Sequence, residues 1–152
     1  MNDSTLQNFA NSLDNLFRHG DSNAYMKQQE ASNIRLIEDA MLAIGRNDMV
    51  ALKELIADNV QLDIKTSADL PFIRAASGKE KFLDAVKHNF SEISDQQPRI
   101  EAVIAQGDTV IILSSEEGEI RASGARYHVQ GMHRFVCRDG KLELVQELII
   151  PA

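Results

Sequence analysis

The sequence predicts an α+β fold, in which helices from the first part of the chain cover one face of a curved antiparallel sheet built from the last part. As far as Ile93, apolar residues mostly recur at three- and four-residue intervals, the period of amphipathic helices. After Pro98 the chain is rich in Val, Ile and Leu, and its apolar residues tend to alternate with polar ones as they do in strands. Turn sequences divide this part into four predicted strands, at residues 99–105, 109–115, 125–138 and 141–150.

Length and composition favour a single domain with one core. They do not favour a nucleic acid or a membrane as partner. The 152 residues are 43% hydrophobic and 26% charged, which is ordinary for one core of this size. The net charge is −7 and Lys and Arg do not cluster, so binding to phosphate-rich partners is not expected. The sequence shows neither a secretory signal nor an apolar run of roughly 18 residues, and we expect a cytoplasmic protein.

The N-terminal segment is predicted to form a helix of its own. Between residues 3 and 18, apolar side chains fall on one helical face, at Leu6, Phe9, Leu13, Leu16 and Phe17. A turn-rich stretch follows, so we divide the chain into an N-terminal helix and turn at residues 1–23 and a single domain at residues 24–152. The helix either docks on the core of its own chain or packs on a second subunit, and the sequence favours neither.

Two helices are predicted at the start of the domain. A helical stripe of apolar residues from Ile34 to Ile44 ends at Gly45. Asn47-Asp48 then supplies the N-terminal cap of a second helix that runs through Ala57.

A short strand and a capped helix follow. Residues 60–65 alternate between apolar and polar side chains, as in a half-buried strand, and residues 66–76 are predicted to form a loop. The segment from Ser77 to Glu80 has the form of a capping box, in which each side chain bonds the backbone amide of the other residue. The helix it opens carries its apolar face at Phe82, Leu83, Val86, Phe90 and Ile93.

Asp139-Gly140 ties the last two strands into a hairpin whose register can be counted. The dipeptide supplies the positive φ angles of a two-residue turn, so His133 is expected opposite Gln146. We take the face that holds these two residues to be the concave one under the helices. Its predicted members are Tyr127, Val129, Gly131, His133, Phe135, Cys137, Leu142, Leu144, Gln146 and Leu148.

A bulge would change this register. If Gly140 forms one, the pairing slips by one residue, and Glu147 and Val145 join His133 on the concave face. Glu147 would then form a carboxylate–imidazole pair with His133.

The polar residues on this face are the candidate catalytic residues. His133 is the candidate for proton transfer, because a neutral imidazole both donates and accepts protons near neutral pH. Tyr127 could donate to a carbonyl or enolate oxygen, and Gln146, or Glu147 in the bulged register, could orient the imidazole. The competing interpretation is a hydrogen-bonded core histidine with no chemical role.

Neither a metal nor another cofactor is expected. The histidines, at positions 19, 88, 128 and 133, lack the spacing of metal ligands. Cys137 has no second cysteine to pair with and lies in an apolar strand, which favours a buried, inert thiol. The chain also has no glycine-rich phosphate loop.

The order of the predicted elements resembles that of the nuclear transport factor 2-like superfamily, including its SnoaL-like polyketide cyclase and ketosteroid isomerase branches. The resemblance runs from about Asn33 to Ile150 and rests on Ile56-Ala57-Asp58-Asn59-Val60, Ser77-Gly78-Lys79-Glu80 and Phe135-Val136-Cys137-Arg138-Asp139-Gly140-Lys141-Leu142. It implies a cone-shaped sheet wrapped around a long helix, of the cystatin-like kind, with an internal pocket and a homodimeric assembly. Because the superfamily supports many activities, it implies no particular reaction.

The resemblance does not extend to the catalytic residues of ketosteroid isomerase. The aspartate base of that enzyme corresponds to Ile64 here, and its oxyanion-binding tyrosine corresponds to Ala40. Neither side chain can move a proton or donate a hydrogen bond. Asp63 is adjacent, but strand alternation places it on the opposite face from Ile64, so a steroid isomerase mechanism is not expected.

Two functions remain open. The first is a SnoaL-like protein that binds an apolar, carbonyl-bearing small molecule, with lyase or isomerase chemistry at His133. The second is a non-catalytic dimerisation or protein-interaction module, which uses the outer sheet face and the N-terminal helix. The second function predicts that Tyr127, His133 and Gln146 form hydrogen bonds only with one another. The sequence does not establish that the protein is an enzyme.

Overall fold

The computed structural model describes residues 28–152, together with Gln7 and Asn11. The predicted N-terminal helix and the boundary at residue 23 therefore lie outside the described residues, apart from these two positions. Within the described part, no helix is both long and apolar enough to cross a membrane.

The described chain from residue 28 onward is an α+β structure, as predicted. Its helices and strands are α1 (Gln28–Gly45), α2 (Met49–Leu55), β1 (Ile56–Thr66), β2 (Ala75–Ser77), α3 (Lys79–Ser91), β3 (Ile93–Gln106), β4 (Thr109–Ile120), β5 (Arg126–Arg138) and β6 (Lys141–Pro151). The strands form one sheet in the order β2-β1-β6-β5-β4-β3. Among the strands of residues 28–152, β1 and β6 run parallel, and the other neighbouring strands are antiparallel.

Three strands are several residues longer than the sequence predicts. β1 spans Ile56–Thr66 rather than residues 60–65. β3 begins at Ile93 rather than at residue 99, and β4 continues to Ile120 rather than ending at residue 115. The short strand β2 also forms at the end of the predicted loop, where it pairs with β1. The extensions matter because they carry polar side chains into the sheet beside the core.

The core lies between the helices and one face of the sheet. Helix α1 buries Ile34 and Ile37, and helix α3 buries Phe82. These side chains belong to one cluster with the inward-facing residues of the strands, such as Val60 of β1 and Val110 of β4. Burial of this apolar face fixes α1 and α3 over the sheet.

Of the two helix caps predicted at Asp48 and Ser77, the first is confirmed and the second is wrong. The side chain of Asp48 accepts a hydrogen bond from the backbone amide of Ala51, as expected for the cap of α2. The predicted capping box is wrong, because Ser77 ends β2 and Gly78, at φ 88°, is the residue that precedes α3 without a side-chain cap. Glu80 instead lies 2.7 Å from Nζ of Lys53 on α2.

The hairpin turn forms as predicted, but the strands after it do not pair regularly. Asp139 and Gly140 have φ angles of 52° and 70°, which are those of a two-residue type I′ turn. Leu142 pairs with Cys137, but the next pair joins Leu144 to Val136. The residue between them in β6, Glu143, is therefore an extra residue in the ladder.

This bulge reverses the faces of β6 beyond Leu142. His133 pairs with Glu147, and the concave face of β6 carries Val145, Glu147 and Ile149. The predicted inward positions of Leu144, Gln146 and Leu148 are wrong. The slipped register is correct, although the extra residue is Glu143 and not Gly140.

Burial and hydrogen bonding favour this outcome. Val145 and Ile149 are buried at 7% and 6% exposure, while Leu148 on the outer face is 40% exposed. Glu143 lies beside Nη1 of Arg138 at 3.4 Å and accepts a hydrogen bond from Asn59 at 3.3 Å. The bulged residue thus keeps polar partners near the sheet surface.

Candidate functional site

A largely apolar cavity lies between helices α1 and α3 and the concave face of the sheet. Its volume is about 160 Å³. Both helices and five of the strands contribute apolar side chains to its wall, including Met41, Ile64, Phe82, Phe90, Ile112, Val129 and Ile149. The polar groups that also line the cavity include Ser114, Glu116, Tyr127, His133 and Glu147. A few polar groups on an apolar wall are typical of a small-molecule site.

His133 lies between a hydroxyl and a carboxylate. Its Nε2 is 2.9 Å from Oγ of Ser114 on β4, and its Nδ1 is 3.4 Å from Oε1 of Glu147 on β6. The side chains of His133 and Glu147 retain 23% and 21% exposure. The carboxylate favours the tautomer with a proton on Nδ1, which leaves Nε2 as the basic atom.

Gly131 makes room for this arrangement. Its cross-strand partner is Ser114, and a Cβ atom at position 131 would lie 2.7 Å from Nε2 of His133 and 3.3 Å from Oγ of Ser114. The imidazole can therefore lie across the strand towards Ser114 only because residue 131 has no side chain. The ring also stacks on Phe135, with the centroids 6.4 Å apart.

A second polar pair lies along the same two strands. The hydroxyl of Tyr127 donates to Oε1 of Glu116 at 2.5 Å, and Nε2 of Gln96 lies 3.5 Å from the same oxygen. Tyr127 crosses over Gly118, where a Cβ atom would lie 2.4 Å from the tyrosine hydroxyl. Gly118 and Gly131 thus leave room for Tyr127 and His133, the two polar side chains that β5 places in the cavity wall.

Burial and neighbouring charges shift the pKa values of this site. Burial lowers the pKa of His133, but the hydrogen bond and charge of Glu147, with the charge of Glu116, raise it overall above 6.5. Burial raises the pKa of Glu116, although bonds from Tyr127 and Gln96 and the charge of His133 oppose the rise. The pKa of Tyr127 is raised by burial and by Glu116, so its hydroxyl keeps its proton.

The predicted site residues separate into two groups. Tyr127 and His133 line the cavity on the concave face, and Glu147 joins them through the slipped register. Gln146 does not, because the bulge turns it to the outer face, where it donates to Asp63 and lies near Arg134. Its predicted role in orienting the imidazole is therefore wrong.

The hydrogen bonds also contradict one prediction of the interaction-module hypothesis. Tyr127 binds Glu116, whereas His133 contacts Ser114 and Glu147. Tyr127, His133 and Gln146 therefore do not form a closed set with one another.

Sequence reasoning missed Ser114, Glu116 and Gln96. The predicted strand ended at residue 115 because the segment that follows is acidic and has a low strand propensity. The alternation of Val110 and Ile112 continues through positions 114 and 116, and this signal could have placed both on the concave face. Gln96 was missed because β3 was expected to begin after Pro98.

Two further predictions concern Cys137 and metal ions. Cys137 is a free, buried thiol, and burial with the charge of Asp108 raises its pKa to about 11. Across residues 28–152, no group of three or more His, Cys, Asp or Glu side chains is arranged to hold a metal ion.

The wall position that resembles the isomerase base is apolar. Ile64 lines the cavity and Ala40 is buried, while Asp63 lies on the outer face with Gln146. Ile64 pairs with Glu147 on β6, so the carboxylate of this site lies one strand away from that position.

Comparison with known proteins agrees with the fold. The chain is similar to a nuclear transport factor 2-like protein of Burkholderia xenovorans, with 18% identity over 81% of this chain and 92% of the other and a TM-score of 0.69. It is also similar to a Jannaschia protein provisionally assigned as a SnoaL-like polyketide cyclase, with 15% identity over 82% of this chain and 89% of the other and a TM-score of 0.68. A third similar structure is an LEH-like epoxide hydrolase of M. tuberculosis, with 14% identity over 79% of this chain and 84% of the other and a TM-score of 0.60. These likenesses show a shared fold.

A search of curated proteins finds no match to the sequence. The family model of the SnoaL-like domain matches residues 37–145. This match includes the middle of α1 and continues into β6, so it covers most of the cavity wall. The chain belongs to the SnoaL-like domain family, and its fold is the one seen in nuclear transport factor 2-like proteins.

Proposed function

We propose that the protein binds a small apolar ligand that carries a carbonyl group, and that His133 removes a proton from the carbon next to this group. The observation that carries the proposal is the contact of His133 with Glu147 in the wall of an apolar cavity. Removal of such a proton is the first step of many isomerase and lyase reactions, so the proposal includes both classes.

The size of the cavity restricts the ligand. A volume of about 160 Å³ is close to that of an engineered cavity of ~150 Å³ that binds benzene, and is below the ~300–1,000 Å³ of drug-sized sites. The buried part of the ligand is therefore a single ring or a short chain. A four-ring steroid would require the wall to open.

The cavity wall supplies a base for the proton and donors for the negative charge that develops on the ligand oxygen. Nε2 of His133 is the base, and Glu147 holds the ring and stabilises the imidazolium that forms. The hydroxyl of Ser114 can turn from Nε2 towards the ligand oxygen. Glu116, in its protonated form, would be a second donor to the negative oxygen that develops, and burial raises its pKa in that direction.

Exchange of hydrogen for deuterium in a simple ketone tests the proposal. Cyclohexanone incubated with the protein in D₂O should gain deuterium next to its carbonyl faster than in buffer, as measured by NMR. His133→Gln should lower the enzymatic rate by about 10²-fold or more, because general base catalysis is typically worth that much.

The control for this experiment lies on the same strand. His128 is on the outer face of β5, where its Nε2 is 3.9 Å from Glu117. His128→Gln should leave the exchange unchanged. Equal exchange by the wild type and His133→Gln, or no exchange above buffer, would contradict the proposal.

A second candidate function is dimerisation through the outer face of the sheet. Four large apolar residues are between 39% and 54% exposed there, namely Ile104, Met132, Leu148 and Ile150. Arg134 and Asp63 both contact Gln146 on this face, so a two-fold arrangement of two copies can place opposite charges across the contact. We therefore propose a second copy of this chain as the partner.

The mass in solution tests this candidate. The wild type should have the mass of a dimer by light scattering, and Leu148→Glu should have that of a monomer, because a charge would be buried in the contact. A monomeric wild type would contradict the candidate. A variant lacking residues 1–23 shows separately whether the N-terminal segment contributes to the assembly.

A further inference from the structure

Ser114 has the surroundings of an activated nucleophile. Its Oγ is 2.9 Å from Nε2 of His133, and the opposite ring nitrogen lies 3.4 Å from Glu147. A hydroxyl, an imidazole and a carboxylate in this order let the base take the hydroxyl proton while the acid holds the ring. The three side chains come from three adjacent strands, so the sheet fixes their spacing.

The hydroxyl also faces the space that a ligand would occupy. Ser114 lines the apolar cavity, and its cross-strand neighbour Gly131 adds no side chain that would cover it. The proton transfer of the proposed function needs only Nε2 of His133 as a base. The short contact between Ser114 and His133 permits a covalent reaction that this function does not use.

We propose that Ser114 attacks the carbonyl carbon of a small apolar ester, so that the protein also hydrolyses esters through an acyl-serine intermediate. The proposal rests on ligand binding in the same cavity, as the proposed function does, but not on proton removal from a ketone.

The reaction balances with water as the second reactant. Oγ of Ser114 bonds to the ester carbon while its proton passes to Nε2 of His133. The bond from that carbon to the alcohol oxygen then breaks, and Nε2 returns the proton to the departing alcohol. Water attacks the acyl-serine with His133 again as base, which releases the carboxylic acid and restores the serine hydroxyl.

Glu116 is suited to the negative oxygen of the intermediate. It lies two residues after Ser114 on the same face of β4, at a distance of about 7 Å along the strand. In its protonated form, which burial favours by raising its pKa, this carboxyl could donate to an oxygen anion between the two residues. Tyr127 holds this carboxyl from its other side at 2.5 Å.

Phenyl acetate and phenylmethylsulfonyl fluoride are the probes, because each has a single ring that suits the cavity. Hydrolysis of phenyl acetate should exceed the rate in buffer, and the sulfonyl fluoride should add one group to the chain, mapped by mass spectrometry to Ser114. Ser114→Ala should remove the labelling and lower hydrolysis by about 10²-fold or more.

The neighbouring serine is the matched control. Ser115 follows on the opposite face of β4, where it pairs with Gln130, so Ser115→Ala should keep both the labelling and the hydrolysis. Circular dichroism should show that both variants are folded.

The outcomes separate this inference from the proposed function. If hydrolysis survives Ser114→Ala, or if no label forms on Ser114, the covalent role is overturned. If phenol and cyclohexanone still raise the melting temperature of the wild type in that case, the cavity binds ligands, and deuterium exchange into cyclohexanone decides the proposed function separately. If neither compound binds, both proposals fail.

Discussion

Nδ1 of His133 lies 3.4 Å from Oε1 of Glu147, across the pairing of β5 and β6. This contact exists because Glu143 is an extra residue in β6, which brings Glu147 rather than Gln146 opposite His133. A bulge near a hairpin therefore decides whether the imidazole faces a carboxylate or an amide. The difference is chemical, because only the carboxylate stabilises the positively charged ring.

Replacing the carboxylate should lower the pKa of His133. The hydrogen bond and charge of Glu147 raise this pKa against the effect of burial, so Glu147→Gln should shift it downward. NMR titration of the His133 ring in each protein measures the change. Glu117→Gln, which removes a carboxylate on the outer face, is the control. The pKa of His133 in this variant should match that in the wild type.

The same pair predicts how stability depends on pH. The pKa of His133 is raised in the folded state above 6.5, so its stabilising contribution is fully present below 6.5 and is lost as pH rises through the folded-state pKa. The unfolding free energy of the wild type should therefore exceed that of Glu147→Gln by more at about pH 6 than at about pH 9. Urea denaturation at the two pH values checks the difference, and a constant gap would contradict it.

Ionisation of Glu116 should destabilise the folded protein. Its pKa is raised above 4.5 by burial, so its favourable contribution is present below 4.5 and is lost as pH rises through the folded-state pKa. Glu116→Gln keeps an oxygen for the Tyr127 hydroxyl but cannot ionise. Relative to the wild type, this variant should gain stability between acid and neutral pH, as measured by thermal unfolding.

Gly118→Ala should displace Tyr127 from Glu116. The new Cβ atom would lie 2.4 Å from the tyrosine hydroxyl, so the ring must move, at a cost of about 1–3 kcal/mol typical of overpacking. Urea denaturation measures the loss. In a Tyr127→Leu background the same change should cost much less, because the hydroxyl is gone. An equal cost in both backgrounds would place the strain elsewhere.

The sequence predicts much of this fold because local patterns and burial agree over most of it. The stripe of α1 and the alternation of β5 match the buried faces, and Asp139-Gly140 forms the expected turn. The register of β6 could not be predicted from the turn alone. The extra residue, Glu143, contacts Arg138 and also Asn59, which is distant in sequence.

The candidate site was only partly predictable for a related reason. His133 and Tyr127 stand out as polar residues on an apolar strand face, and both line the cavity. Ser114 and Glu116 lie in a polar segment that has little strand propensity by itself, and pairing with β5 makes it a strand. Gly131 and Gly118 were not predicted to be site residues, because their role is the space they leave for side chains two and nine residues away in β5.

The pH dependence of ketone exchange is the sharpest test of proton removal by His133, because the reaction requires His133, Glu147 and the cavity together. Deuterium exchange into cyclohexanone should increase with pH as His133 loses its proton and level off above its pKa, with a midpoint above pH 6.5 in the wild type. In Glu147→Gln the midpoint should move to lower pH. Exchange that follows the same pH curve in both proteins, or that persists in His133→Gln, would show that His133 is not the base.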